Sequence, residues 1–460
     1  KYKENYASIF SLGIPILISQ LGMIVVAFAD NIMVGRYSTE ALASASFVNN
    51  VFNVATFACL GFSYGLTPLI GALFTQKRDT TIGGMIKNGL LINIIFSLLV
   101  TTIMFILWLN IDRLGQPEEL MPLIKPYYLI VMAGMLPIAI FNVFAQWLFA
   151  INRTKLPMWI LLSANSLNIL GNWLLIYGKC GFPELGLIGA GYSTLFARVL
   201  CPVVVMVIFF LYKDFRTYRD GFKASRINSM MIGQINRTSW PVSLQMTFES
   251  GSFTIAAVMA GWLGAISLAS FQIIVITGTL GFCIYYSMGS AVSVLVANAA
   301  GLNDRIGMRR IAFAGYHIML TLAAISSTLF IVFGHEFINA FTEDPEVIAA
   351  TVVLIVPLVL YQMGDATQIN FANALRGTSH VMPMIWIAFV SYVVIGIPAT
   401  YLLAFTASMG TYGIILSFSV SLFIAAALFL YFFMRATKRD IKVCLLYTSD
   451  AADDLIGVDL

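Results

Sequence analysis

The chain has 460 residues, of which 59% are hydrophobic and only 10% are charged, against roughly 25% charged residues in an ordinary soluble domain. This composition excludes a soluble globular protein, because apolar runs of membrane-spanning length, about 20 residues each, recur along nearly the whole chain. The bases lie in short loops and the five cysteines are single, so no nucleic-acid partner, metal cluster, disulfide framework or cofactor is expected. We predict an all-α integral membrane protein in contact with the lipid bilayer.

The apolar segments predict twelve transmembrane helices, six in each half of the chain. Their predicted bounds are 8–34, 47–74, 85–109, 124–150, 156–178 and 186–212, then 240–263, 266–298, 308–333, 347–373, 382–406 and 410–434. Lys and Arg concentrate in the loops after even-numbered helices, whereas the loop after the ninth helix is acidic. By the positive-inside rule we expect a multi-pass protein of the cytoplasmic (inner) membrane with both termini in the cytoplasm.

The two halves are related by an internal repeat with an offset of 226 residues. The matched pairs include Pro15 with Pro241, Gly35 with Gly261, and Leu42 with Leu268. Because each copy has an even number of helices, both enter the membrane in the same direction, and the pseudo-two-fold axis runs along the membrane normal. We therefore predict a monomer of two six-helix lobes.

The predicted domain boundaries follow from this repeat. The N-terminal lobe covers residues 1–212, a basic cytoplasmic linker covers 213–239, and the C-terminal lobe covers 240–442. Residues 443–460 contain four Asp and no Lys or Arg. This acidic tail resembles a translated sequencing adapter, so we predict that it is non-native.

Three acids lie well inside the apolar segments, namely Asp30, Glu249 and Asp365. An ionised carboxylate at mid-membrane costs at least ~2.5–3.5 kcal/mol, so such residues usually mark an ion path or a proton relay. The alternative interpretation is that the polar groups only satisfy one another and hold helices together.

The polar neighbours of the two later acids indicate what they bind. Tyr361 and Gln368 share a helix face with Asp365, and Gln245 lies four residues before Glu249. Hydroxyl and amide oxygens beside two acids offer hard ligands for a cation, or surround a carboxylate pair that shares a proton.

The first lobe has its own polar row on the fifth helix. Asn165, Asn168 and Asn172 lie on one face and could partner Asp30. Arg198, within the sixth helix, is either a countercharge in this lobe or a base that reaches the membrane interface.

Several short motifs occur in an order that is specific to one family. They are Ala29-Asp30-Asn31-Ile32-Met33-Val34-Gly35, Pro241-Val242 with Phe248-Glu249, Tyr361-Gln362 with Asp365 and Gln368, and Asn168 and Asn172-Trp173 with Pro183-Glu184-Leu185-Gly186. Together they resemble the multidrug and toxic compound extrusion (MATE) transporters, in particular the bacterial NorM-like branch. The resemblance covers residues 1 to about 440.

This resemblance implies an antiporter that exports small amphipathic organic cations in exchange for Na⁺ or H⁺. The family usually has a proline between the two fifth-helix asparagines, but here the segment reads Ile169-Leu170-Gly171. A bend must therefore come from Gly171 or not occur. Carried over residue by residue, the coupling sites are Glu249, Asp365 and Tyr361 in the second lobe, which would bind Na⁺ if coupling is to sodium, and Asp30, Asn168 and Asn172 in the first.

Other functions remain as alternatives. A flippase for a lipid-linked oligosaccharide or another amphiphile would share the architecture, but it would need a strongly cationic cavity, and Arg198 is the only base placed deep in a helix. An intramembrane aspartyl protease would need Gly-x-Gly-Asp, whereas Gln362 occupies the place of the first Gly before Asp365. A plain channel is distinguished only by transport that needs no counter-gradient.

Overall fold

The computed structural model describes residues 2–438, which form helices and short turns without β-strands. The acidic tail, residues 443–460, lies outside the described residues. The helices are α1 Lys3–Tyr37, α2 Thr39–Tyr64, α3 Leu66–Thr75, α4 Asp79–Leu109, α5 Met121–Ala133, α6 Met135–Ala150, α7 Lys155–Ile176, α8 Leu187–Leu211, α9 Arg216–Ala224, α10 Ser229–Trp262, α11 Ala265–Gly301, α12 Arg305–Asn339, α13 Pro345–Val352, α14 Ile355–Gly377, α15 Met382–Ala388, α16 Ile397–Tyr401 and α17 Gly410–Ala436.

These helices account for the twelve predicted spans. Ten spans within residues 2–438 are long and apolar enough to cross a bilayer, some of them made of two consecutive helices. An eleventh consists of α13 and α14, which meet at an angle of 49°. The twelfth is α10, whose 34 residues include the charged side chains Arg237 and Glu249. The all-α membrane fold is confirmed.

The second span differs from its prediction at both its start and its middle. Helix α2 begins at Thr39, eight residues before the predicted start of 47, and Ser38 caps it by accepting a hydrogen bond from the Ala41 amide at 3.2 Å. The span then breaks at Gly65. A Cβ atom on Gly65 would lie 2.4 Å from the Ser239 Cα, so only glycine permits this close approach of α10.

The segment predicted as a linker is largely helical. Residues 216–224 form the short amphipathic helix α9, which packs against α4, and residues 229–239 are the first three turns of α10. Two glycines make the α4–α9 crossing possible. A Cβ on Gly83 would lie 2.1 Å from the Tyr218 carbonyl oxygen, and one on Gly221 would lie 2.1 Å from that of Thr80.

The described residues divide into two compact units. We call residues 18–243 the N-terminal unit, and residues 2–17 with 244–438 the C-terminal unit. These boundaries differ from the predicted lobes at two places, because residues 2–17 group with the C-terminal unit and residues 213–239 belong to the N-terminal one. The N-terminal unit has two apolar clusters, one around Trp147 and Phe209 and the other around Phe52 and Tyr128.

Candidate functional site

The C-terminal unit brings two of the predicted acids into one electrostatic cluster. Glu249 lies in α10 and Asp365 in α14, and the two carboxylates interact with each other. Asp365 is 2% exposed, because α14 packs against α11, α12 and α17 on several sides. Neither acid forms a salt bridge within residues 2–438. A buried acid pair without a base is unstable when both members are ionised, unless a cation lies between them.

The oxygen atoms around Asp365 are short of hydrogen-bond donors. Within residues 2–438, Asp365 Oδ2 and Gln368 Oε1 are buried and accept no hydrogen bond. The two side chains lie one turn apart on the same face of α14. Glu249 has one donor, the Gln245 amide at 2.8 Å. Buried acceptors are normally satisfied, so these oxygens have the chemistry of cation ligands.

Tyrosines surround the acid pair. Tyr361 interacts electrostatically with both Asp365 and Glu249, and its ring packs against Phe253 and Phe418 at centroid distances of 6.3 and 6.4 Å. A Cβ on Gly278 of α11 would approach the Tyr361 ring to 3.3 Å. The predicted set Glu249, Asp365 and Tyr361 is therefore held together by packing from two neighbouring helices.

A chain of hydrogen bonds holds Gln362, the residue that follows Tyr361 in α14. Tyr285 of α11 donates to Gln362 Oε1 at 2.6 Å, and its hydroxyl lies 3.0 Å from the Ser326 hydroxyl of α12. Gly281 leaves room for this contact, because a Cβ there would lie 2.3 Å from Gln362 Oε1. The chain sets the rotation of α14 and so the direction in which Asp365 points.

Tyr392 belongs to the same cluster, although the sequence analysis did not identify it. Its buried hydroxyl has no hydrogen-bond partner among the described residues, and it interacts with Glu249, Asp365 and Tyr361. It lies in the π-helical stretch Phe389–Gly396 between α15 and α16. The wider turn of a π-helix shifts side chains around the axis, so helical spacing alone does not predict this position.

A small cavity adjoins this cluster. Its lining includes Ser252 from α10, Tyr392 and Gly396 from the π-helical stretch, and Phe418 and Ser421 from α17. Ser252 lies one turn after Glu249 and donates to its carbonyl oxygen at 2.8 Å. The acid pair is therefore next to a space with both hydroxyl and aromatic walls.

The N-terminal unit brings Asp30 to one of the predicted asparagines. Asn172 of α7 donates a hydrogen bond to Asp30 Oδ1 of α1. Asn168 contacts α8 instead, because its amide donates to the Thr194 hydroxyl at 3.4 Å and its carbonyl accepts from Ser193 at 2.7 Å. Asn165 Nδ2 is buried with no partner among the described residues.

Gly171 serves helix packing. Helix α7 continues through this residue without a break. A Cβ on Gly171 would lie 2.4 Å from the Ser193 hydroxyl oxygen, so the glycine lets α8 approach α7 beside Asn172. The missing proline therefore leaves the asparagine row on one uninterrupted helix.

Arg198 of α8 belongs to the same polar group as Asp30. Its side chain lies over Gly134, where an added Cβ would be 2.8 Å from Arg198 Cδ. Its guanidinium interacts electrostatically with Asp30 and with Tyr127 of α5. Of the two interpretations from sequence, this arrangement favours the countercharge. The two units therefore differ, because the acid in one has a base nearby, whereas the acid pair in the other has none among residues 2–438.

The family model named MatE matches residues 15–174 and 241–402, which together are more than half of the chain. The chain therefore belongs to the MatE family, which is the family that the sequence motifs predicted. The match in two separate segments agrees with the internal repeat seen in the sequence. The prediction of a transporter and not an enzyme is confirmed by this membership. The chain is a multi-pass membrane protein.

Relatives with known names place it on the NorM-like branch. It is 28% identical over 437 residues to the "Probable multidrug resistance protein NorM" of Photorhabdus laumondii, with 92% of this chain and 94% of that protein covered. It is 26% identical to the "Multidrug resistance protein NorM" of Vibrio cholerae, with 93% and 94% covered.

Solved structures share the fold. The crystal structure of the eukaryotic MATE transporter AtDTX14 superposes with a TM-score of 0.86 at 17% identity, covering 96% of this chain and 99% of that one. An outward-facing MATE family transporter gives a TM-score of 0.84 at 19% identity, covering 94% and 96%. The predicted arrangement of twelve helices in two lobes is consistent with these matches.

Proposed function

We propose that the chain is a multidrug efflux antiporter of the cytoplasmic membrane, in which the acid pair Glu249 and Asp365 binds the coupling ion. The observation that carries this proposal is the pair of donor-free oxygens, Asp365 Oδ2 and Gln368 Oε1, buried beside a second acid. An amide oxygen does not take up a proton at ordinary pH, but it is a good ligand for a hard cation. The ligand set therefore favours Na⁺ over H⁺.

The C-terminal unit is a better coupling site than the N-terminal one. Asp30 already has a hydrogen bond from Asn172 and a nearby positive charge from Arg198. Both reduce the gain that a bound cation would bring. The acid pair has no base near it in the part of the chain that the structure describes, so an incoming cation there displaces no existing positive charge.

Coupling needs only that the ion and the drug favour opposite states of the protein. Occupation of the acid pair by a cation stabilises the arrangement in which α10 and α14 hold Glu249 and Asp365 together. A cationic substrate favours the arrangement in which the pair is released. Its substrates are expected to be small amphipathic cations, and the unit of transport is expected to be a monomer.

The experiment is efflux of a fluorescent organic cation from proteoliposomes under separately imposed Na⁺ and pH gradients. We expect Na⁺-driven efflux in the wild type and its loss in Glu249→Gln and Asp365→Asn. Asp112→Asn is the matched control, because this exposed acid only pairs with Lys125 at 2.8 Å. Unchanged efflux in both acid variants contradicts the proposed site, and efflux driven by the pH gradient alone assigns H⁺ as the ion.

The same vesicles test the flippase alternative. A flippase for a lipid-linked oligosaccharide would move the lipid and leave the cation gradient unaffected.

Orientation is tested in cells with a cleavable tag after residue 438. Cleavage by a cytoplasmic protease is expected, since the basic loops follow even-numbered helices.

A further inference from the structure

The turn that follows α9 is fixed to the first part of α4. The Lys87 ammonium donates a hydrogen bond to the Ser225 carbonyl oxygen at 2.7 Å. The Asn88 side-chain oxygen accepts one from the Asn228 amide at 2.9 Å. Residues 225–228 therefore lie beside these two positions of α4, and the height of the turn in the membrane follows from that of Asn88.

The exposed face of α4 shows how deep Asn88 lies. Large apolar side chains are exposed on this helix from Ile95 to Leu109 and suit contact with lipid, whereas the next residue, Asn110, is polar. Leu109 therefore marks one edge of the hydrocarbon core. Asn88 lies 21 residues earlier, which is about 32 Å at 1.5 Å per residue. Because the hydrocarbon core of a bilayer is about 30 Å thick, Asn88 and the turn beside it lie at the opposite edge, among the lipid headgroups.

Two large apolar side chains are exposed at this level. Ile227 in the turn is 63% exposed. Met230, whose amide donates to the Asn228 side chain at 2.8 Å, is 45% exposed. Single exposed apolar residues are common on any protein surface. Here both lie at the boundary between headgroups and acyl chains, where lipid removes apolar side chains from water.

Bases flank these apolar side chains. Lys223 and Arg226 are exposed, and neither side chain forms a salt bridge within residues 2–438. The two acids of residues 213–239 are already ion-paired at 3.6 Å, Asp214 with Arg153 and Asp220 with Arg216. Two positive charges therefore lie at headgroup level without an acidic partner among the described residues. Each base near an anionic membrane surface raises the affinity about fivefold.

We propose that Lys223, Arg226, Ile227 and Met230 form a binding surface for anionic phospholipid. The two bases contact the headgroup phosphate, and the two apolar side chains enter the start of the acyl region. The charge favours an anionic lipid, because a zwitterionic headgroup carries a positive charge that offsets its phosphate. The apolar pair favours a lipid over a water-soluble anion. This surface belongs to the connection between the sixth and seventh spans and is independent of the proposed ion and drug sites.

The test is fluorescence quenching by lipid in a variant without the native cysteines. A bimane fluorophore is attached to Ile227→Cys, and the protein is reconstituted in phosphatidylcholine with an increasing share of brominated phosphatidylglycerol or of brominated phosphatidylcholine. Leu99→Cys on the exposed apolar face of α4 is the control for lipid contact in the middle of the membrane. Glu343→Cys in the exposed turn before α13 is the control for water. Elution as a single species checks that each variant is folded.

At position 227 we expect both lipids to quench, with brominated phosphatidylglycerol preferred at least fivefold in relative association constant. At position 99 the preference should stay below twofold. A lack of quenching at position 227 overturns the proposal, because the turn then faces water. Equal quenching by the two lipids there also overturns it, because the surface then touches lipid without selecting its charge.

Replacement of the bases tests which charges select the lipid. Lys223→Gln combined with Arg226→Gln should lower the preference at position 227 below twofold. Lys213→Gln combined with Arg216→Gln is the matched control, because it removes the same number of exposed charges from the same segment, and it should leave the preference within twofold of the wild type. An equal loss in both double variants assigns the preference to net charge and contradicts this surface.

Glycerol phosphate, which has a phosphate and no acyl chains, separates a lipid site from a site for free anions. It should leave the preference at position 227 unchanged, and loss of the preference in its presence overturns the proposal in favour of a soluble phosphate. Drug efflux is measured in the same vesicles. Loss of efflux with the lipid preference intact counts against the proposed function alone.

Discussion

Replacing Gly171 by alanine should separate α7 from α8 at the point where the Asp30 site is assembled. The new Cβ would lie 2.4 Å from Ser193 Oγ and 3.2 Å from Ser193 Cβ. The hydroxyl of Ser193 donates to the Asn168 carbonyl at 2.7 Å, so it cannot rotate away without losing that bond. Either the bond breaks or the helices move apart.

Both responses reduce the free energy of unfolding. Overpacking of a tight interface costs about 1–3 kcal/mol, and the loss of one neutral hydrogen bond costs about 0.5–1.5 kcal/mol. We therefore expect Gly171→Ala to lose about 1–3 kcal/mol if the helices move apart, and about 0.5–1.5 kcal/mol if the hydrogen bond breaks instead. Ser193→Ala removes the close oxygen and leaves only a Cβ contact, so the double variant should recover about half of the loss, a coupling typical of contacting residues.

The measurement is unfolding in mixed micelles with increasing SDS, followed by tryptophan fluorescence. Gly251→Ala is the matched control, because a Cβ there meets no atom within 4 Å and alanine is the better helix former by about 1 kcal/mol. The reasoning is refuted if Gly171→Ala is as stable as Gly251→Ala, or if Ser193→Ala does not rescue it.

Three further variants test other parts of the structure. Tyr285→Phe leaves the buried Gln362 amide oxygen without its donor and should lower the free energy of unfolding by about 1–3 kcal/mol, measured in the same titration with Tyr401→Phe as an exposed control. Gly264→Ala should cost about 1–3 kcal/mol, since φ is +113° there, and a variant as stable as Gly251→Ala contradicts this expectation. Burial and the nearby Asp79 carboxylate raise the pKa of Tyr218 above its ordinary value of 10.0. The unfolded chain therefore ionises first, so stability should fall above about pH 10 in the wild type and fall less in Tyr218→Phe.

The sequence predicted the fold class, the helix count and the family because these depend on long apolar runs, a fixed repeat offset and motif order. The sequence was less accurate where tertiary contacts determine the start, the end or a break of a helix. The start of α2 depends on a capping bond from Ser38, and the break at Gly65 depends on α10 packing onto it. Residues 229–239 look like a polar linker, but they continue a long helix because the N-terminal unit packs against them.

The candidate site likewise contains residues that the sequence predicted and one that it missed. Helical spacing placed Asp365 and Gln368 on one face of a helix. An acid inside an apolar segment is also easily identified from the sequence. Tyr392 was missed because a π-helical stretch changes its direction.

The most direct test of the central claim is ion release on substrate binding. Purified protein equilibrated with ²²Na⁺ is mixed with an organic cation, and released Na⁺ and H⁺ are measured together. Release of Na⁺ from the wild type and from Asp112→Asn, with no release from Asp365→Asn, is the expected result. Release of either ion at wild-type level from both Glu249→Gln and Asp365→Asn would contradict the assignment of the coupling site to this acid pair.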